Sequence, residues 1–207
     1  GDDNDDDSSS DLSGEADLNS FEVNDGDDSN DVEEGSEDVE VAEFDVEFND
    51  GDAMITRLDI ALVGTGNTEA DPWDVFEEVS LWVDGEEVAR TDSSDEDEYL
   101  EENDGSLRFS GLDIVAMEDE EVTIVVAASI TGNVDSAGSA SLADWDVLAG
   151  AVRFVDADDV TTTDDSTDDL DGDWAGAAAE FVIDTEGAGD DLDLESSDED
   201  PDATTLS

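Results

Sequence analysis

In a series of short segments along this chain, apolar residues recur at every second position, a period that strands satisfy and helices do not. Val39 and Val41 alternate with acids, and Phe44, Val46 and Phe48 alternate again with the phase shifted by one. A one-residue bulge near Ala42 accounts for the shift, because an extra residue returns the following side chains to the core face. Leu58, Ile60 and Leu62 line one face of the next segment, with Arg57 and Asp59 on the other. Val79, Leu81 and Val83 follow, and Asp84-Gly85 supplies a two-residue hairpin turn into Val88. Further strands are expected over Leu107–Phe109, Leu112–Val115, Val122–Ile130, Trp145–Val155 and Glu180–Ile183. Gly, Asn and Asp punctuate them at intervals of about ten residues, the rhythm of an antiparallel β-sandwich of jelly-roll type. One helical turn is expected near residues 71–77, with Asp71 at the N-cap and Pro72 at the first helical position. Its Trp73 and Phe76 are expected to plug one end of the sandwich.

Whether such strands hold together depends on charge. The 207 residues include 68 Asp and Glu against four Arg, with no Lys and no His, a net charge of −64. High charge with few large aliphatics is the signature of disorder below about 20% Leu, Ile, Val and Phe. Here those four types make up 47 of 207 residues, enough for one core. At about 1 M salt the Debye length is about 3 Å, and surface carboxylates hardly repel. A chain that has dropped Lys and favours Asp over Glu therefore reads as adapted to molar salt, from an extreme halophile. Residues 1–17 are expected to be an acidic leader behind a removed signal or lipid anchor, 18–195 the sandwich, and 196–207 an acidic tail. The longest apolar stretch, Ile124–Ile130, is too short to span a bilayer, and the long apolar helix of type IV pilins is missing.

The same composition narrows function. Nucleic acid and anionic membranes are excluded as partners, since both need clustered Lys or Arg. Without His or Cys there is no imidazole base, thiol nucleophile, disulfide or zinc site. Carboxylates remain, but among 68 of them a pair at catalytic separation arises by chance, and no enzyme is expected. No cofactor is required. Calcium, which takes several oxygens from acidic loops, is the one candidate ion. Three stretches suit it: Asp25, Asp27, Asp28 and Asp31; Asp156, Asp158 and Asp159; and Asp165 with Asp168. The first is not an EF-hand, because its glycine, Gly26, falls at the second position. The four Arg (57, 90, 108 and 153) all lie in strand-like segments and are expected in bidentate forks with carboxylates, within the fold or across a subunit contact.

The segment Glu77-Glu78-Val79-Ser80-Leu81-Trp82-Val83-Asp84-Gly85, preceded by Asp71-Pro72-Trp73 and followed by Leu107-Arg108-Phe109, resembles β-sandwich modules of secreted surface-layer and matrix proteins of bacteria and archaea. A weaker similarity is to TasA-like and archaeal bundling-pilus subunits, which polymerise by donating a strand. The resemblance implies a secreted structural subunit of an extracellular filament or surface array, built from copies of itself and meeting other surface proteins. Acidic tails that order only against a neighbour point the same way. Two segments suit strand donation: Leu12, Leu18, Phe21 and Val23 at the N-terminus, and Leu192 with Leu194 at the C-terminus. Of these, Asp11–Val23 is preferred, provided it stays free of its own sandwich. The alternative is a cation-dependent adhesive or glycan-binding module on a cell or virus surface, with Tyr99 and Trp174 as its only stacking candidates.

Overall fold

A computed structural model describes residues 12–30, 32–65, 70–100, 105–132, 134, 143–165 and 178–184. The described residues form two β-sheets packed face to face, the all-β sandwich that the alternation predicts. The strands are β1 (Gly14–Asp25), β2 (Val32–Glu33), β3 (Val39–Gly51), β4 (Ala53–Thr65), β5 (Phe76–Val83), β6 (Glu86–Asp92), β7 (Ser106–Ala116), β8 (Glu121–Ile130), β9 (Ala143–Val155), β10 (Thr161–Asp165) and β11 (Ala178–Asp184). The first sheet runs β1-β3-β8-β5-β6 and the second β2-β11-β9-β4-β7. Pairing is antiparallel throughout, apart from a parallel contact between β2 and β11. β10 and β11 lie end to end along the same strand, β10 on residues 151–155 of β9 and β11 on residues 143–148.

The turn residues act as the sequence suggests. Asp84 and Gly85 both have positive φ, 52° and 78°, the conformation of the tight hairpin that joins β5 to β6. A register break between Glu40 and Ala42 in the β3–β8 ladder is the predicted bulge. The two segments expected over Leu107–Phe109 and Leu112–Val115 are one strand, β7, interrupted where Gly111 adopts φ 72°.

The core lies between the sheets. Phe44 and Phe48 of β3 are fully buried, and the Phe48 ring sits edge-on to Phe154 of β9 at 4.7 Å. At one end a one-turn helix, α1 (Pro72–Val75), leads straight into Phe76, whose ring is 4.8 Å from Trp145. Asp71 holds the N-cap position, but its side chain caps nothing; its backbone carbonyl accepts from Asp74 N at 3.0 Å. Trp73 packs on Tyr99 at 5.6 Å, and the Tyr99 hydroxyl donates to Ser93 O at 2.9 Å. Tyr99 is thus a packed residue whose phenol is pushed above its ordinary pKa by burial, not an open stacking platform.

One expectation is corrected here. The N-terminal segment is not free of its own sandwich: β1 begins at Gly14, inside the expected leader, and pairs with β3 along its length. Leu18 and Phe21 are buried in the chain's own core, and the Phe21 ring lies 5.4 Å from that of Phe44. The reason is local supply, because β3 presents a long unpaired edge that the preceding strand reaches without leaving the chain. Leu12 is half-buried just ahead of β1, and Val23 packs partly against the core. Leu192 and Leu194 lie outside the described residues.

Beneath this corner a single carboxylate ties three segments. Asp52, in the β3–β4 turn, accepts from Ser13 N and Oγ at 2.9 and 2.7 Å with one oxygen and from Glu118 N at 2.8 Å with the other. These donors hold the Asp52 carboxyl below its usual pKa, the Glu118 amide foremost.

Candidate functional site

Two constellations stand out, one on each sheet. The first is acidic. The bulge at Ala42 places Glu40 and Glu43 on the same outward face of β3, where an unbroken strand would send residues three apart to opposite faces. The turn after β1 runs alongside: Gly26 N donates to Val41 O at 3.2 Å and Asp28 N to Glu40 O at 3.3 Å. A Cβ at Gly26 would collide with the Glu40 carbonyl oxygen, so only glycine allows the approach. Asp27 is thereby brought to Glu40 and Glu43, with one carboxylate oxygen of each within 4.8 Å of the others. Partial burial raises the pKa of both glutamates, with Asp28 and then Asp27 adding to the effect on Glu40, and Asp27, Asp45 and Glu40 adding to that on Glu43. Three oxygens from two segments are a partial shell for a hard cation such as calcium.

Of the loop aspartates singled out in the sequence, Asp27 alone enters this trio. Asp25 accepts from Glu180 N at 2.8 Å and so joins β1 to β11. Asp28 is exposed beside Glu40. Asp156 is buried and caps its own turn, accepting from Asp158 N and Val160 N, both at 2.9 Å, while Asp159 adopts φ 59°. Asp165 ends β10 opposite Ala151. Asp31 and Asp168 lie outside the described residues. Glu40 and Glu43 were legible in principle: two acids three apart that straddle a predicted bulge must share a face.

The second constellation is cationic. Arg90, on the first sheet, is clamped by Asp38, Glu78 and Glu87 at 2.9, 3.0 and 2.6 Å, as expected of a structural arginine. The other three gather on the outward face of the second sheet. Arg108 forks onto Asp59 through Nε at 2.9 Å and a terminal nitrogen at 2.8 Å, which raises its pKa further. That fork uses both oxygens of Asp59. Arg57 reaches the same carboxylate only at 3.5 Å, and its buried Nε has no hydrogen-bond partner. Arg153 is exposed and forms no ion pair among the described residues. Arg57 and Arg153 stand directly opposite each other across the β4–β9 ladder, flanked by Ser110 on β7 and Thr163 on β10. Two like charges at directly opposed positions destabilise a sheet, and this chain places half of its cations so.

No family model and no curated protein matches this chain. Among solved structures, the collagen-binding subdomain of the Enterococcus faecalis surface protein ACE is similar over 70% of this chain and 87% of that one, at 9% identity and a TM-score of 0.26. At that level the likeness bears on neither fold nor function. No helix among the described residues is long and apolar enough to cross a membrane.

Proposed function

We propose that this chain is a secreted structural subunit of an extracellular filament or surface array, assembling from copies of itself in molar salt. The observation that carries the reading is a sandwich with a well-packed core whose outward strand positions bear carboxylates on both sheets. Carboxylates occupy outward positions of β1 and β3 on one sheet and, as Asp113, Asp144, Asp146 and Glu180, of the other, where three of the four arginines also lie. A net charge of −64 on a folded sandwich repels itself, and molar salt screens that repulsion, which supports the reading of a chain suited to brine. The two faces then offer short-range contacts that survive screening. Assembly by donation of the N-terminal strand is not part of this proposal, since β1 completes the chain's own sheet. Two measurements test it. Circular dichroism should show loss of β structure on dialysis to about 10 mM salt, where the Debye length is about 30 Å. Negative-stain imaging of native surface material should show fibres or sheets; discrete monomers in molar salt would defeat the reading.

The acidic trio favours a second reading, a cation-dependent adhesive module. Calcium should then raise the melting temperature in high monovalent salt through linkage between binding and folding, and Glu43→Gln should abolish that shift. A melt indifferent to calcium and to chelator removes this alternative.

A further inference from the structure

Among the described aromatic residues, Trp82 alone neither belongs to the core nor packs against it. Its neighbours in β5 point inward, Leu81 fully buried and Val83 packed on the core, so the alternation turns the indole to the outward face of the first sheet. The ring is half-buried there, and it is anchored. Its Nε1 donates to Ser80 Oγ at 2.9 Å, Ser80 Oγ donates to Asp38 Oδ1 at 3.3 Å, and the same oxygen takes a terminal nitrogen of Arg90 at 2.9 Å. Ser80 is fully buried beneath this network. The polar edge of the indole is thus spent on the protein, and what remains for a ligand is the π face, a negatively polarised surface held in one orientation.

Carboxylates flank the ring on two sides. Across the ladders one row reads Glu87, Trp82, Val125 and Glu43, and the next Arg90, Ser80, Ala127 and Glu40. A register break on each flank, between Leu81 and Trp82 in the β5–β6 ladder and between Glu40 and Ala42 in the β3–β8 ladder, brings residues three apart onto the outward face: Glu87 with Arg90, and Glu40 with Glu43. At about 4.8 Å per strand the two acidic flanks stand about 14 Å apart, with Trp82 and Val125 between them. Arg90 is the one base in these rows, and Asp38, Glu78 and Glu87 already outnumber it. Glu40 and Glu43 have Asp27 beside them and form no ion pair among the described residues.

We infer that this patch docks an arginine-bearing segment of a basic partner protein, with one guanidinium stacked on Trp82 and its edge nitrogens forked onto the flanking carboxylates. Charge complementarity selects a cation, and shape selects the guanidinium: it is planar, stacks on an indole and offers donors in its own plane, as an ammonium does not. Salt separates this patch from the rest of an acidic surface. At about 1 M, where the Debye length is about 3 Å, distant carboxylates no longer hold a cation, and only groups in contact with it do. Trp is among the residues on which the energy of such contacts concentrates. A second copy is a poor occupant, because its Arg57 and Arg153 share their face with Asp113, Asp144, Asp146 and Glu180 and would bring carboxylates onto carboxylates. The contact requires neither self-assembly nor calcium, and so goes beyond both readings above.

The test is titration of the full chain in about 1 M sodium chloride with a short peptide of alternating glycine and arginine, read by calorimetry and by the indole N–H resonances, with circular dichroism confirming that every variant folds. The peptide should bind saturably and shift one indole N–H resonance, the one that Trp82→Phe removes. Trp82→Ala should weaken binding at least about tenfold, and Trp82→Phe should weaken it less, because a smaller ring remains. Glu40→Gln with Glu43→Gln should also weaken it, and the lysine counterpart of the peptide should bind less tightly than the arginine one. Binding unchanged in Trp82→Ala would assign the cation to the acidic surface at large and overturn the patch. Equal binding of the lysine peptide overturns the stacked guanidinium. No binding of the arginine peptide, or preference for a neutral oligosaccharide, overturns the partner. Sedimentation in which the wild type associates and Trp82→Ala does not would give the face to a second copy and overturn it as well.

Discussion

Asp52 offers a quantitative test of how the N-terminal strand is held. Its carboxylate accepts three hydrogen bonds that tie the chain ahead of β1 and the β7–β8 turn to the β3–β4 turn. Hydrogen bonds to a charged acceptor contribute about 1.5–3 kcal/mol each when desolvated. Ser13 and Glu118 are exposed, so water replaces part of what is lost, and Asp52→Ala should cost about 2–3 kcal/mol in total. For a chain of this size that corresponds to a fall in melting temperature of about 5–10 °C. Asp52→Asn keeps one acceptor oxygen but loses the charge, and should fall between the two. The pH dependence supplies the decisive control. The folded-state pKa lies below the ordinary 3.8, so the stabilisation is present above that value and is lost as pH falls through the folded pKa. The gap between wild type and Asp52→Ala in thermal melts should therefore close in strong acid. A gap that is absent at neutral pH, or that persists at about pH 2, would refute the account: the first denies the bonds, the second assigns the loss to packing.

Three further outcomes are expected. Phe21→Ala should cost about 3–5 kcal/mol in a melt that does not depend on protein concentration; loss of assembly with an unchanged monomer melt would remove β1 from its own sandwich. Glu43→Gln should raise stability at neutral pH by up to about 1 kcal/mol, because the raised folded pKa means that the charged form is penalised as pH climbs above 4.5; the gain should vanish in acid melts, and destabilisation at neutral pH would contradict it. Gly26→Ala should unfold the turn beside β3 and lower the melting temperature, since its Cβ has no room against Glu40; an unaltered melt would show that the turn relaxes freely.

The sequence was legible wherever structure follows from neighbouring residues. The alternation in β3, β4 and β5, the bulge at Ala42 and the Asp84-Gly85 hairpin are local consequences of side-chain period and turn chemistry, and they appear as expected. β10 was not legible, because Thr161–Asp165 carries no apolar residue to alternate; it is a strand by virtue of the edge that β9 offers. The alternation of Leu18 and Phe21 was visible, yet it does not say which chain's sheet receives them, since pairing partners are set by distant residues. The opposition of Arg57 and Arg153 depends on a register between residues nearly a hundred positions apart, for which a single sequence holds no signal. The acidic trio falls between these cases: two members follow from the bulge, and the third needs the β1–β3 register.

Each of the five described non-glycine residues in the left-handed region is an aspartate: Asp38, Asp50, Asp84, Asp119 and Asp159. Aspartate tolerates that conformation better than most residues because its short side chain bonds locally. Part of the acidity thus resides at corners of the chain, where a residue of this shape is wanted whatever its charge. Asparagine has the same shape and the same tolerance. Single exchanges of acid for amide at these five bends would therefore change the net charge while leaving strand registers and core untouched. Charge and architecture are in this respect separable: the bends fix which side-chain shape is wanted, and the shape leaves the charge open.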